Sequence, residues 1–458
     1  MYDILIKNGT IFDGSGNDPL TSSLGIKNGK ISKIGNDISD KEAREIVDAT
    51  GKYITPGFIN LNNDGFDPHD QGLVNRGITT TVFGNYGTSQ APIIKNQSNQ
   101  NISWNYLDEY LNYLTQQKLA VNTNTLVGWK TIRENTVGSV FRPLTEKEME
   151  SCLYLLKESL NQGGLGVSFG LSYPEQKVIG LKEMIEASKL VKKYNKLVTI
   201  QLRNEFENIL ESIDEIIELA KQSQAKILII NLKCLSQENW SLFPKALNLI
   251  KEANENFHTN IYFDINPQEL VTLPLHLLLP DWLSIGDEYA LRRNLEDKTI
   301  HKNILKILKE KRGLYENLVF CLPSYDYMFD GKTLKEVSKK FGLNIEETLI
   351  KILFLKSKEL LVQGNLVSQD NILLALKSPY SITSIPQIHL SIPDAIYKST
   401  GLPAKILNLT NKGLIKLNYD ADLVIWDQKQ IQSTIINGKI SFNKNINLNL
   451  NHGSILSN

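Results

Sequence analysis

Histidine is scarce in this chain, six residues in 458, and cysteine is scarcer at three. Cys152, Cys234 and Cys321 are an odd number without the close spacing of a zinc motif, so neither a disulfide framework nor a thiolate metal site is expected. Neither sign of charge is in surplus, because 50 Lys and Arg balance 50 Asp and Glu. That balance leaves out the basic surface that nucleic acid or an anionic membrane requires, and points to a small or neutral partner. No apolar run reaches the roughly 18 residues of a membrane-spanning helix. The opening MYDILIKNGT lacks the basic-then-apolar layout of a secretory leader, so a cytoplasmic location is expected. The hydrophobic share of 41% is ordinary, which excludes a disordered or fibrous chain, and the length suggests two or three domains.

What is present is strand and helix punctuation. LGIKNGKISKIG, centred on Asn28-Gly29, reads as a hairpin, because Asn-Gly readily adopts the two positive φ angles of a tight two-residue turn. STIINGKIS, around Asn437-Gly438, repeats the pattern near the other end, so both termini are expected in β-structure, in one sheet. Between them eight apolar runs alternate with amphipathic stretches: FINLN (58–62), TTTVFG (79–84), TLVGW (125–129), LGVSF (165–169), LVTIQ (197–201), ILIIN (227–231), NIYFD (260–264) and YSITSI (380–385). Continuous apolar strands separated by helices are parallel strands covered on both faces, and eight of them favour a (β/α)8 barrel over a doubly wound sheet. One helix is legible in detail: Thr145 with Glu148 makes a capping box, Met149, Leu153, Leu156 and Leu160 share a face, and Gly163-Gly164 stops it. Residues 283–346, charged and helical with one extra strand-like run, read as an insertion, and the Asn-rich tail NKNINLNLNHGSILSN is expected to fray.

Seven motifs in order carry a resemblance: PGFINLNNDGFD (56–67), GITTTVFGNYGTSQAP (77–92), LVGWKTIR (126–133), GGLGVSFGLSYP (163–174), IQLRNE (200–205), IINLK (229–233) and GLIKLNYDADLVIWD (413–427). Together they resemble the amidohydrolase superfamily, in its N-acyl-D-amino-acid deacylase (D-aminoacylase) branch. The resemblance implies a barrel over residues 56–402 and a small β-sandwich built from 1–55 and 403–458. It also implies a zinc-activated water that hydrolyses a non-peptide C–N bond.

The residues that would do this chemistry are replaced. By resemblance, the H-x-H pair falls on Asn62 and Asp64, the family cysteine on Tyr86, and two further histidines on Gln201 and Asn231. A histidine of the third segment falls on Trp129, and no carboxylate stands near Ser384, Ile385 or Pro386, where the family has its catalytic aspartate. Catalytic zinc needs three imidazole, thiolate or carboxylate ligands and an open position, and only then does its water fall from a pKa of 15.7 to roughly 7. Neutral amide oxygens are weak ligands for it. The expectation is therefore no cofactor and a catalytically silent protein, with an oxygen-rich Mg²⁺ or Ca²⁺ site at Asp64 as the alternative.

Substrate-holding positions survive better. Lys233 and Tyr173 match family residues that would face a carboxylate, and Arg203 and Glu205 are retained, so a small carboxylate-bearing ligand such as an N-acyl amino acid is a candidate partner. The competing reading makes Lys233 and Arg203 structural, paired with Glu205 or Asp264. Asp64, Asp67, His69 and Asp70 form a cluster that reads either as a solvated turn or as a rebuilt acid–base site. Three functions follow: a silent binder, a C–N hydrolase rebuilt on Asp64, His69 and Lys233, or an interaction protein that serves as an oligomer or partner subunit.

Overall fold

A computed structural model describes residues 1–63, 65–93, 104–284, 288–321, 329–356, 360–427, 429–444 and 448–456. Its two ends meet in one nine-stranded sheet, with five strands from residues 2–56 and four from residues 423–449. Tyr53–Pro56 pairs antiparallel with Leu423–Trp426, and this ladder joins the two halves. The sheet closes over Ile4, Ile6, Leu24, Ile26, Ile54, Leu423, Ile425 and Ile435, contributed by both ends of the chain. Both Asn-Gly turns take the expected form, with φ of 53° and 76° at Asn28-Gly29 and 52° and 75° at Asn437-Gly438. They also pack on each other. A Cβ on Gly438 would lie 2.5 Å from the Gly29 Cα, so glycine serves both the turn and the contact.

The chain then enters a barrel of eight parallel strands: Phe58–Asn60, Ile78–Phe83, Asn122–Thr125 continued by Val127–Gly128, Gly166–Gly170, Leu197–Gln201, Lys226–Ile229, Asn260–Asp264 and Ser381–Ile382. The fold is the expected (β/α)8 barrel with a β-sandwich. Side-chain alternation explains the continuous apolar runs. Val198, Ile200, Ile227 and Ile229 face the helices, whereas Leu197, Leu228 and Ile230 fill the barrel with Leu126, Leu165 and Ile382. A polar layer lies above this plug: Thr199 donates to Asn85 Oδ1 at 3.1 Å, and Ser168 donates to the Gly84 carbonyl at 2.5 Å. No ladder joins the eighth strand to the first among the described residues. There the Ser384 hydroxyl donates to Asn60 Oδ1 at 2.9 Å. Helix Glu146–Asn161 carries the capping box, and buries Cys152, Leu156, Ser159 and Leu160. No described helix is long and apolar enough to cross a membrane.

Three expectations need correction. The third barrel strand begins in the polar run Asn122–Thr125 rather than at Thr125, and all four of its residues are buried. The excursion before the eighth strand is wider than 283–346, because Leu361–Asn365 pairs with Leu270–Pro274 on one side and Val319–Cys321 on the other as a separate antiparallel sheet. The tail does not fray over its described part. Thr123 donates to Ser454 O at 2.8 Å, Leu456 donates to Thr123 O at 2.9 Å, and Gly453 donates to Leu119 O at 2.9 Å.

The first and third of these corrections share a cause. Asn122 donates to Asp422 at 2.9 Å, and its own oxygen accepts from Asn437 and from the Ser454 hydroxyl, both at 2.8 Å. Lys412 lies between Asp420 and Asp422, at 3.0 and 2.6 Å. Tail, sandwich and third strand thus satisfy one another's buried polar groups. Truncation after Asn451 removes the bonds made by Gly453, Ser454 and Leu456 to the third strand and the segment before it, and leaves Asn122 with Asp422 and Asn437. It is expected to destabilise the protein by about 2–4 kcal/mol in urea or thermal unfolding. An unchanged midpoint would mean that the tail is not part of the folded unit.

Candidate functional site at the barrel mouth

Asp264 ends the seventh barrel strand and faces inward with Tyr262, since Ile261 and Phe263 alternate outward into the helical shell. Its carboxylate is buried and accepts the backbone N–H of Asn231 and the side-chain amide of Asn62, the latter at 3.1 Å. Asn231 has φ of 54°, a left-handed conformation that its short polar side chain tolerates. Burial pushes the Asp264 pKa up to about 6, against the opposing pull of these donors and of the Lys233 charge. Asn60 Oδ1 accepts from the Asn62 backbone at 3.0 Å as well as from Ser384. Together they line a cavity of about 810 Å³ at the barrel mouth.

Lys233 stands behind this cluster. It meets both oxygens of buried Glu205 at 2.9 Å and donates to the Asn231 carbonyl at 3.2 Å. Burial raises the Glu205 pKa, and the lysine opposes that shift. Arg203 is also committed: Nε and Nη2 grip Glu215 at 3.1 and 2.8 Å, while Nη1 and Nη2 donate to the carbonyls of Lys177 and Ile179. Tyr173 contacts Tyr86 edge-on at 6.2 Å, and both line a side cavity of about 230 Å³. The four candidate ligand-binding residues therefore divide. Lys233, Glu205 and Arg203 are paired internally, and Tyr173 alone lines a described cavity.

Among the described residues, the positions marked for metal carry amides and a phenol. Asn62 and Asn231 meet on Asp264, Gln201 ends the fifth strand, and Tyr86 lies between the two cavities. Asp64 lies outside the described residues. The described donors are amides, a phenol and one carboxylate, and no three His, Cys, Asp or Glu side chains are grouped to hold a metal among the described residues. These donors do not fit zinc, which needs three strong ligands. Trp129 instead donates its indole N–H to Glu183 at 2.7 Å, beside Arg133. His69 does not join Lys233: its ring bonds the Lys118 carbonyl at 2.8 Å, ahead of the third strand and so at the opposite end of the barrel. His301 and His452 are bonded to Leu295 O and Ser441 Oγ.

Asp264 was overlooked as a central group, although its signal was present. It is the single carboxylate closing the apolar run NIYFD, at the C-terminal end of a barrel strand, where such folds place their chemistry.

Known proteins place this geometry. A profile of the Amidohydrolase family matches residues 365–441. The chain is 23% identical to a D-aminoacylase of Alcaligenes xylosoxydans xylosoxydans over 470 residues, covering 94% of this chain and 90% of that protein. It is 24% identical to an N-acyl-D-aspartate deacylase of the same organism, covering 94% and 87%. Among solved structures, the N-acyl-D-glutamate deacylase of Bordetella bronchiseptica, complexed with zinc and a phosphonate inhibitor, superposes with a TM-score of 0.82 at 19% identity, over all of both chains. A D-aminoacylase crystal structure gives 0.79 at 19% identity, again over all of both chains.

The raised pKa of Asp264 has a measurable sign. Between the ordinary value of 3.8 and about 6 the native state binds more protons than the unfolded chain, so this group's contribution to stability falls as pH rises through that window. Asp264→Asn removes the buried charge, and its amide oxygen still accepts from Asn231. Relative to wild type, the variant should gain roughly 3 kcal/mol between acid and neutral pH in unfolding titrations. A pH-independent difference would contradict the assignment.

Proposed function

From a chain that belongs to the amidohydrolase superfamily, in its D-aminoacylase-like branch, we propose that this protein keeps the frame of a C–N hydrolase without its zinc chemistry and acts as a small-molecule binder. One observation carries the reading. At two of the matched metal positions an N–H group donates to Asp264, the side-chain amide of Asn62 and the backbone of Asn231. A zinc ligand presents a side-chain lone pair to the metal, whereas the Asn62 side chain presents an N–H donor to a carboxylate. The mouth stays open as a cavity of about 810 Å³, which a pure scaffold would have no reason to keep.

A second reading, an enzyme working without zinc, draws support from Asp264 itself. A carboxyl with a pKa of about 6 at the edge of a cavity is suited to proton transfer near neutral pH. Its partners would be Lys233 and Asn231, since His69 lies at the far end of the barrel.

A panel of N-acyl-D-amino acids and cyclic amides, assayed with and without added Zn²⁺, separates the two readings. The binder gives no turnover above background under either condition. Saturable hydrolysis that needs zinc would overturn the proposal. Zinc-independent hydrolysis abolished in Asp264→Asn would establish the second reading.

A further inference from the structure

We propose that the mouth cavity takes a small ligand that presents N–H donors and carries no negative charge, a carboxamide or an amine, and excludes carboxylates. The inference rests on the proposed function, because a metal ion in the mouth would reverse the sign of its field.

The charges on the cavity wall carry the argument. Among the described residues that line it, Asp264 is the one buried charged side chain, while half-buried Asp70 and exposed Arg76 are of opposite sign. The cations that would answer a carboxylate are neutralised at source: Lys233 by Glu205, with both groups buried, and Arg203 by Glu215 and two carbonyls. A ligand carboxylate entering here would meet a second carboxylate in a weakly screened site with no uncompensated buried cation, which is unfavourable by simple Coulomb reasoning. An amide or ammonium group reverses that interaction.

The rest of the wall is matched to such a ligand. Asn62, Asn63, Asn231, Asn266 and Gln268 line the cavity, and carboxamide groups accept N–H donors as readily as they donate. The side cavity shares Asn63 and Tyr86 with the mouth and is walled by Phe66, Tyr86 and Tyr173, with Lys130 and Glu175 at opposite charge. It offers apolar room for the body of a ligand whose polar head lies at Asp264.

Isothermal titration calorimetry on the full chain near neutral pH, with N-acetyl-D-leucine, N-acetyl-D-leucinamide and D-leucinamide, compares one skeleton as anion, neutral amide and cation. The amide and the cation should bind at least about tenfold more tightly than the anion. An anion that binds as tightly as either, or no binding by all three, would overturn the inference. Asp264→Asn should narrow the gap between anion and amide, and an unchanged gap would remove Asp264 from the account. The wild-type series stands without the variant if the variant fails to fold. Zinc content measured on the same preparation keeps the two proposals apart: zinc with a preference for the amide overturns the proposed function alone, and no zinc with a preference for the carboxylate overturns this one alone.

Discussion

A carboxylate buried at the end of a barrel strand is the constraint around which the mouth of this protein is built. Removing Asp264 from water penalises its charge, and the fold answers with a backbone N–H, an amide N–H and a lysine one step behind. The backbone N–H and the lysine come from the loop after the sixth strand, and the amide from the loop after the first. The arrangement therefore ties the first, sixth and seventh strands together where the hydrogen-bonded ladder between the eighth strand and the first is missing among the described residues. Asn60 and Ser384 complete the closure, so the same polar contacts shape the cavity and hold the barrel shut.

The two ends of the barrel have separated roles. At the mouth, polar groups surround space. At the opposite end they surround one another: Asn122 joins Asp422, Asn437 and Ser454, and the chain's last described residues lie along the third strand. This division follows the general layout of such barrels, with stability at the N-terminal face and chemistry at the C-terminal face. The sandwich enters through the pairing of Tyr53–Pro56 with Leu423–Trp426, immediately before the first barrel strand, so both chain ends anchor at that lower face.

The frame was legible because its signals are local. Asn-Gly turns, a capping box and apolar runs each declare themselves within a dozen residues, and eight runs sufficed to indicate the barrel. The elements that were misread depend on distant partners. The polar run Asn122–Thr125 does not resemble a buried strand until Asp422 and the tail supply its hydrogen bonds, and the tail appears loose in composition for the same reason. Lys233 and Arg203 suggested anion binders because Glu205 and Glu215 lie near in sequence without declaring their geometry; the structure places both lysine and arginine in internal pairs. Asp264 escaped notice for a related reason. Its importance lies in what converges on it from Asn62 and Asn231, which sequence alone shows only as missing histidines.

The central claim is that this mouth has exchanged a metal site for a carboxylate held by amides. Competition for Zn²⁺ between the purified protein and a chelating dye of micromolar affinity tests it most directly. The account predicts that the dye takes all the metal and the protein retains none at stoichiometric level. One equivalent of zinc held against the dye would contradict it.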